Sequence, residues 1–138
     1  MLTKVTVSEY MTKKLVTLTK NTNVFDAIKK LLDHHITSAP VIDSQGHLAG
    51  MFSEKDGIQV VLESVYNQGM SGQVGEFMHK DVITVDANSS IVDLAERFHN
   101  SAIRSFPVFE EGHLVGIVSR TDVLRALTQN LASAKIAS

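Results

Sequence analysis

The chain has 138 residues, 43% apolar and 20% charged, with a formal net charge of −2: room for one ordinary domain or two very small ones sharing a core, and no electrostatic footprint for nucleic acid. No apolar run approaches the roughly 18 residues that span a bilayer, and the N-terminus, MLTKVTVSEYMTKK, lacks the apolar core of a signal peptide. With no cysteine, disulfides, thiolate metal sites and cysteine nucleophiles are excluded, and a reducing, cytoplasmic location is the expectation.

Leu15–Leu18 is a β-branched run and reads as a strand. The polar stretch after it ends at Asn23, a helix-capping residue, with Asp26 three positions on, where a carboxylate favours a helix N-terminus. Val24, Ala27, Ile28, Leu31 and Leu32 then recur at the spacing of one buried helical face. Pro40 has a fixed φ and no N–H to donate, so it suits the first residue of a strand or a sheet edge. The turn Asp43-Ser44-Gln45-Gly46 joins Val41-Ile42 to the next apolar run as a β-hairpin. Ser53 precedes a second periodic helix through Ile58, Val61, Leu62 and Val65, and the Gly- and Ser-rich segment Asn67–Val74 is the natural connection to the second half of the chain.

That second half reads the same way again. Met11 matches Met78, Thr17 matches Thr84, Asp26 matches Asp93 and Pro40 matches Pro107 at one constant offset. The offset falls by one after Glu110-Glu111-Gly112, a turn one residue shorter than its counterpart, and Gly50, Ser53 and Asp56 then match Gly116, Ser119 and Asp122. Both prolines of the chain fall on one repeat position. The second copy predicts a strand at Val82–Val85, a cap at Ser90, a helix buried through Ile91, Leu94, Ala95 and Phe98, a hairpin from Pro107, and a helix from Ser119 through Val123, Leu124 and Leu127. Each copy is thus a β-α-β-β-α unit of the α/β (α+β) class. A unit of about 60 residues buries too small a share of its surface to be comfortable alone, so two stacked units are expected. The tail, Ser133–Ser138, is expected to fray.

Chemistry concentrates at the two Ser-x-x-Asp segments. Ser53 to Asp56 and Ser119 to Asp122 read as helix capping boxes, with the serine oxygen on an amide and the aspartate complementing the dipole. The same geometry serves a ligand: free N–H groups at a helix N-terminus attract phosphate, and an ionised carboxylate accepts from both ribose hydroxyls. Arg104, just before the second hairpin, suits either a solvent-facing helix end or a bidentate phosphate contact. Its counterpart, Thr37, offers one hydrogen bond and no charge, so two sites built this way are not equivalent. Of the six histidines, His34 and His35 are adjacent and point roughly 100° apart on a helix, a poor arrangement for sharing a metal. His47 and His113 flank the hairpin glycines. No histidine has an evident positioning partner, and neither a nucleophile–base pair nor a phosphate-binding glycine loop is present, so no catalytic apparatus is read.

Four motifs occur twice in the same order over roughly residues 8–130: the opening Met-x-x-x-x-h-Thr, the Pro-Val start of the hairpin, the Gly-x-h-x-Gly hairpin strand, and the closing Ser-x-x-Asp. The pattern resembles the tandem cystathionine β-synthase (CBS) domain pair, or Bateman module. The resemblance implies two CBS repeats packed through their sheets about a pseudo-twofold axis, with residues 1–68 and 75–138 as the domains and 69–74 as the linker. It implies two clefts that bind adenine nucleotides or adenosyl ligands of the AMP, ADP or ATP class. It places Asp56 and Asp122 as ribose ligands beside Ser53 and Ser119, and uses Thr37, Arg104, Thr17 and Thr84 for contacts to phosphate and base. On this reading the chain is a stand-alone regulatory module, not an enzyme. It requires no cofactor or metal, takes an adenosine-containing ligand, forms a homodimer and acts on a partner enzyme or transporter. The alternative is a dimerisation or docking module that binds no ligand, since every proposed ligand residue also has a structural explanation.

Overall fold

The computed structural model describes residues 2–67 and 72–137; residues 69–71 of the expected linker lie outside the described residues. The chain resolves into two compact units: Val16–Val82 forms one, and residues up to Leu15 join those from Ile83 onward in the other. The class is mixed α+β, with an α-β-β-α succession shared by both.

In the unit Val16–Val82, helix α1 (Val24–Asp33) starts where Asn23 Oδ1 accepts from the amides of Phe25 and Asp26 at 2.9 and 3.3 Å, the cap read from the sequence. It ends at His35, whose φ of 53° lies in the left-handed region that closes helices. Strands β1 (Ser38–Ile42) and β2 (Leu48–Ser53) form the antiparallel hairpin. Asp43 caps their turn, its Oδ1 accepting from the amides of Gln45 and His47, both at 2.9 Å, and the His47 amide above all holds the Asp43 carboxyl below its ordinary range. Helix α2 (Glu54–Asn67) follows β2 directly, and the short helix α3 (Val74–Phe77) closes the unit. Its core gathers Leu18, Val24, Ala27, Leu31, Ala39, Val41, Phe52, Val60, Val74 and Met78.

In the other unit, β3 (Val85–Asp86) runs parallel to β4 (Ser105–Glu110), which pairs antiparallel with β5 (His113–Ser119). Helix α4 (Ile91–His99) is capped by Ser90 Oγ, and helix α5 (Arg120–Ala137) continues from β5. Two 3-10 turns, Leu2–Lys4 and Val7–Glu9, belong to this unit. The hairpin turn places Glu111 and Gly112 at φ 49° and 79°, the two left-handed residues of a tight hairpin loop.

The opening of each repeat is built into the unit that holds the other repeat's hairpin. Val7 is buried among Val85, Ile91 and Val118, while its counterpart Val74 is buried among Leu18, Val24 and Val41. The amide of Ile91 donates to Val5 O at 2.9 Å, and that of Val24 to Gly72 O at 3.1 Å. Met11 and Met78, each the first residue of the opening motif, lie against Gly116 and Gly50: a Cβ built at Gly116 falls 2.7 Å from Met11 Sδ and 2.8 Å from Thr12 O, and one at Gly50 falls 2.9 Å from Met78 Sδ and 2.7 Å from His79 O. The second glycine of Gly-x-h-x-Gly therefore admits a crossing backbone.

Several sequence expectations are corrected. The strands expected at Leu15–Leu18 and Val82–Val85 shrink to a single rung, Leu18 with Val41, and to β3. The prolines account for this. Pro40 and Pro107 are the third residues of β1 and β4, not the first. The Leu18 amide donates to Pro40 O at 2.9 Å and Leu18 O accepts from Ile42, so the next parallel bond back along the chain would need an N–H on Pro40, and there is none. Because the Pro40 carbonyl points to that same side, the antiparallel ladder with β2 loses nothing. The outward faces also differ. Leu32 is exposed, and the periodic residues of α2, Ile58, Val61, Leu62 and Val65, point to solvent while Gly57 and Val60 are buried. In α5, Val123 is buried and Leu124 exposed. Residues 133–137 of the tail are part of α5.

Candidate functional site

The register of each hairpin assembles the candidate residues. β1 begins with Ser38 opposite Ser53, the last residue of β2, so Thr37 lies beside the first residue of α2; the Glu54 amide donates to Thr37 O at 2.9 Å. In the other unit Ser105 faces Ser119, and the Arg120 amide donates to Arg104 O at 3.1 Å. Each helix start thus holds the residue before the hairpin, the serine that ends it, and the aspartate three positions on.

At α2, Asp56 Oδ2 accepts from the Ser53 amide at 2.8 Å and from Ser53 Oγ at 2.9 Å, and the Asp56 amide donates to Ser53 Oγ at 3.3 Å. At α5, Asp122 Oδ2 accepts from the Ser119 amide at 2.9 Å, and the Asp122 amide donates to Ser119 Oγ at 3.2 Å. Both capping boxes are formed, and both carboxylates are held in place while little exposed, 15% for the Asp56 side chain and 9% for Asp122. Gly57 does not interrupt α2: a Cβ there would sit 3.2 Å from Ile28 Cγ1, so the absence of a side chain lets α1 and α2 approach.

The threonines of the expected first strands do not join these boxes by hydrogen bonds. Thr17 is half-buried and its carbonyl accepts from Lys30 Nζ at 3.4 Å. Thr84 lines a surface pocket of about 350 Å³ with Val85, Asp86, Ser89, Asp93, Leu94 and Arg97.

The surroundings of the two carboxylates differ in ways the sequence does not reveal. Arg125, one turn along α5, donates to Asp122 Oδ1 at 3.1 Å and lies 6.0 Å from the centre of the Tyr10 ring. Arg120 donates to the carbonyls of Ile103 and Ser101 at 3.0 and 3.1 Å, fixing the loop that carries Arg104. The Arg104 guanidinium is exposed, with no hydrogen bond or ion pair among the described residues. In the first repeat Glu54 stands where the second has Arg120, and Gln59 where it has Arg125. Here the carboxylate is met from another segment: His79 Nδ1 lies 3.0 Å from Asp56 Oδ2. A histidine therefore does have a carboxylate partner, 23 residues away in sequence. Only the Arg125–Asp122 spacing, one helical turn, carries a local signal in the sequence. Among the described residues no three His, Asp or Glu gather as a metal site, and no helix is long and apolar enough to cross a membrane.

The sequence model of the CBS domain matches residues 7–63 and again residues 74–129. The chain belongs to the CBS-domain family. Its two CBS domains are 32% identical over 122 residues to an uncharacterized 17.7 kDa protein of Acidianus ambivalens, covering 88% of this chain and 72% of that one. They are 27% identical over 126 residues to an uncharacterized protein of Methanocaldococcus jannaschii, covering 91% of this chain and 44% of that protein; the chain spans less than half of this relative. The CBS-pair protein CBSX2 of Arabidopsis thaliana, crystallised in complex with AMP, superposes with a TM-score of 0.77 at 28% identity, covering 90% of this chain and 96% of that one.

Proposed function

We propose that the chain is a regulatory CBS-domain pair that binds an adenosine-containing ligand at the starts of α2 and α5 and catalyses no reaction. The observation that carries this reading is the repetition of one arrangement: a little-exposed carboxylate, oriented by the amide of the preceding serine, at the start of a helix in each unit. Such a carboxylate can take both hydroxyls of a ribose, and the helix N-terminus favours the phosphate. The unpartnered Arg104 guanidinium adds a bidentate phosphate contact in the second repeat, where the first offers Thr37. Thr17 and Thr84 complete the proposed contacts to base and phosphate. The AMP complex of CBSX2 supports the ligand class. Ligand binding regulates to the extent that two states of the protein bind it differently, and a cytoplasmic setting fits the absence of cysteine.

Calorimetric titration of ligand-free protein with AMP, ATP and S-adenosylmethionine tests the reading. At least one is expected to bind, and Asp122→Ala is expected to weaken that binding by about 1–3 kcal/mol, the loss of charge-assisted hydrogen bonds. Silence from all three overturns it.

A second reading, docking or self-association, is favoured by the outward face of α2. Ile58, Val61, Leu62, Val65 and Tyr66 recur at helical spacing and are 45–79% exposed. A contiguous apolar stripe of this kind on a small protein marks an interaction surface, and the occupant proposed is a second copy of the chain. The two readings are compatible, since a ligand site and an oligomer surface occupy different parts of the same helix.

A further inference from the structure

Resting on the adenosyl-binding reading, we propose that His79 is a specificity-determining residue of the first repeat's site, one that sets whether the site prefers a phosphorylated or an unphosphorylated adenosyl ligand according to its own protonation. The ring is held at the start of α2. The Met51 amide donates to His79 O and the His79 amide to Met51 O, both at 3.0 Å, which pins the segment to β2 and brings Nδ1 to 3.0 Å from Asp56 Oδ2.

An ionised carboxylate only accepts, and Oδ2 already accepts from the amide and hydroxyl of Ser53, so Nδ1 must carry a proton. The ring's charge then depends on Nε2 alone. Nε2 makes no hydrogen bond among the described residues, and the side chain is 48% exposed, within reach of a ligand. In the neutral ring Nε2 presents a lone pair, which accepts from a hydroxyl or amine and repels a phosphate; protonated, it donates to a phosphate.

The other charges nearby do not supply that switch. Asp56 faces the ring from α2, the backbone of Met51 faces it from β2, Lys80 and Asp81 flank it in its own segment, and Glu54 and Lys55 are exposed charges of the first turn of α2. The second repeat differs at each point. Thr12 occupies the position of His79 under the same pair of backbone bonds, to Ile117 at 2.7 and 3.0 Å, and Arg104, permanently charged, stands where the first repeat has Thr37. Phosphate preference is therefore fixed in the second repeat and conditional in the first.

By reciprocity, a ligand that prefers the protonated ring must raise the ring's titration midpoint by the same factor. The test is an NMR pH titration of the His79 imidazole in the full wild-type chain, with no ligand, with saturating adenosine and with saturating AMP, the signal assigned by its absence in H79T. AMP is expected to raise the midpoint by about one unit, equivalent to a tenfold preference, while adenosine, whose hydroxyl suits the neutral ring, is expected to lower it. AMP that binds yet leaves the His79 midpoint unmoved overturns this inference and spares the adenosyl-binding reading. If AMP does not bind, the inference falls, while the adenosyl-binding reading falls only if ATP and S-adenosylmethionine are silent as well.

Discussion

Gly50 and Gly116 show how single residues tie the repeat openings to the hairpins. At each, an added methyl group would meet a backbone carbonyl as well as a methionine sulfur: His79 O at 2.7 Å and Thr12 O at 2.8 Å. Gly116→Ala is expected to destabilise the protein by about 1–3 kcal/mol, as forced overpacking does, read as a lower midpoint in chemical denaturation; an unchanged midpoint would mean that the segment moves away freely. The capping residues Asn23, Ser90, Ser53 and Ser119 were legible because a cap acts within three residues of itself. His79 was not. Its partner Asp56 lies on another element, and only the crossing of the Met78–His79 segment over β2 brings the two together.

Among the elements, α2 shows what periodicity leaves undecided. Ile58, Val61, Leu62 and Val65 lie on one helical face, as their spacing predicts, but spacing names a face without saying whether it meets the core. The direction is set by Gly57 against Ile28 and by the buried Val60, on the other side of the helix. The short parallel strands carry a similar lesson, since the β-branched runs favour extended backbone while the buried prolines remove the donor that would lengthen the ladder. If the outward face of α2 is where a second copy docks, Val65→Glu is expected to convert a dimer to a monomer in sedimentation without lowering the unfolding midpoint, because Val65 is 68% exposed. A wild-type chain that sediments as a monomer would set this assignment aside.

For the whole molecule, the duplication was legible because the repeats keep their motifs in order, and the α-β-β-α succession appears in both units, preceded by a short strand in one and a single bridge in the other. The exchange of openings was hidden, since Val7 and Val74 look alike in sequence and only the packed cores reveal which hairpin each one serves. The two units carry the same carboxylate arrangement in different charged surroundings, Arg125 on Asp122 against His79 on Asp56, and the distinct ligand preferences we propose rest on that difference. The central claim is that these carboxylates receive a ribose. A crystal structure of the chain grown with AMP tests it directly: the account predicts ribose hydroxyls within about 2.6–3.2 Å of the Asp122 or Asp56 carboxylate, and AMP bound elsewhere, with both carboxylates still meeting protein groups alone, would contradict it.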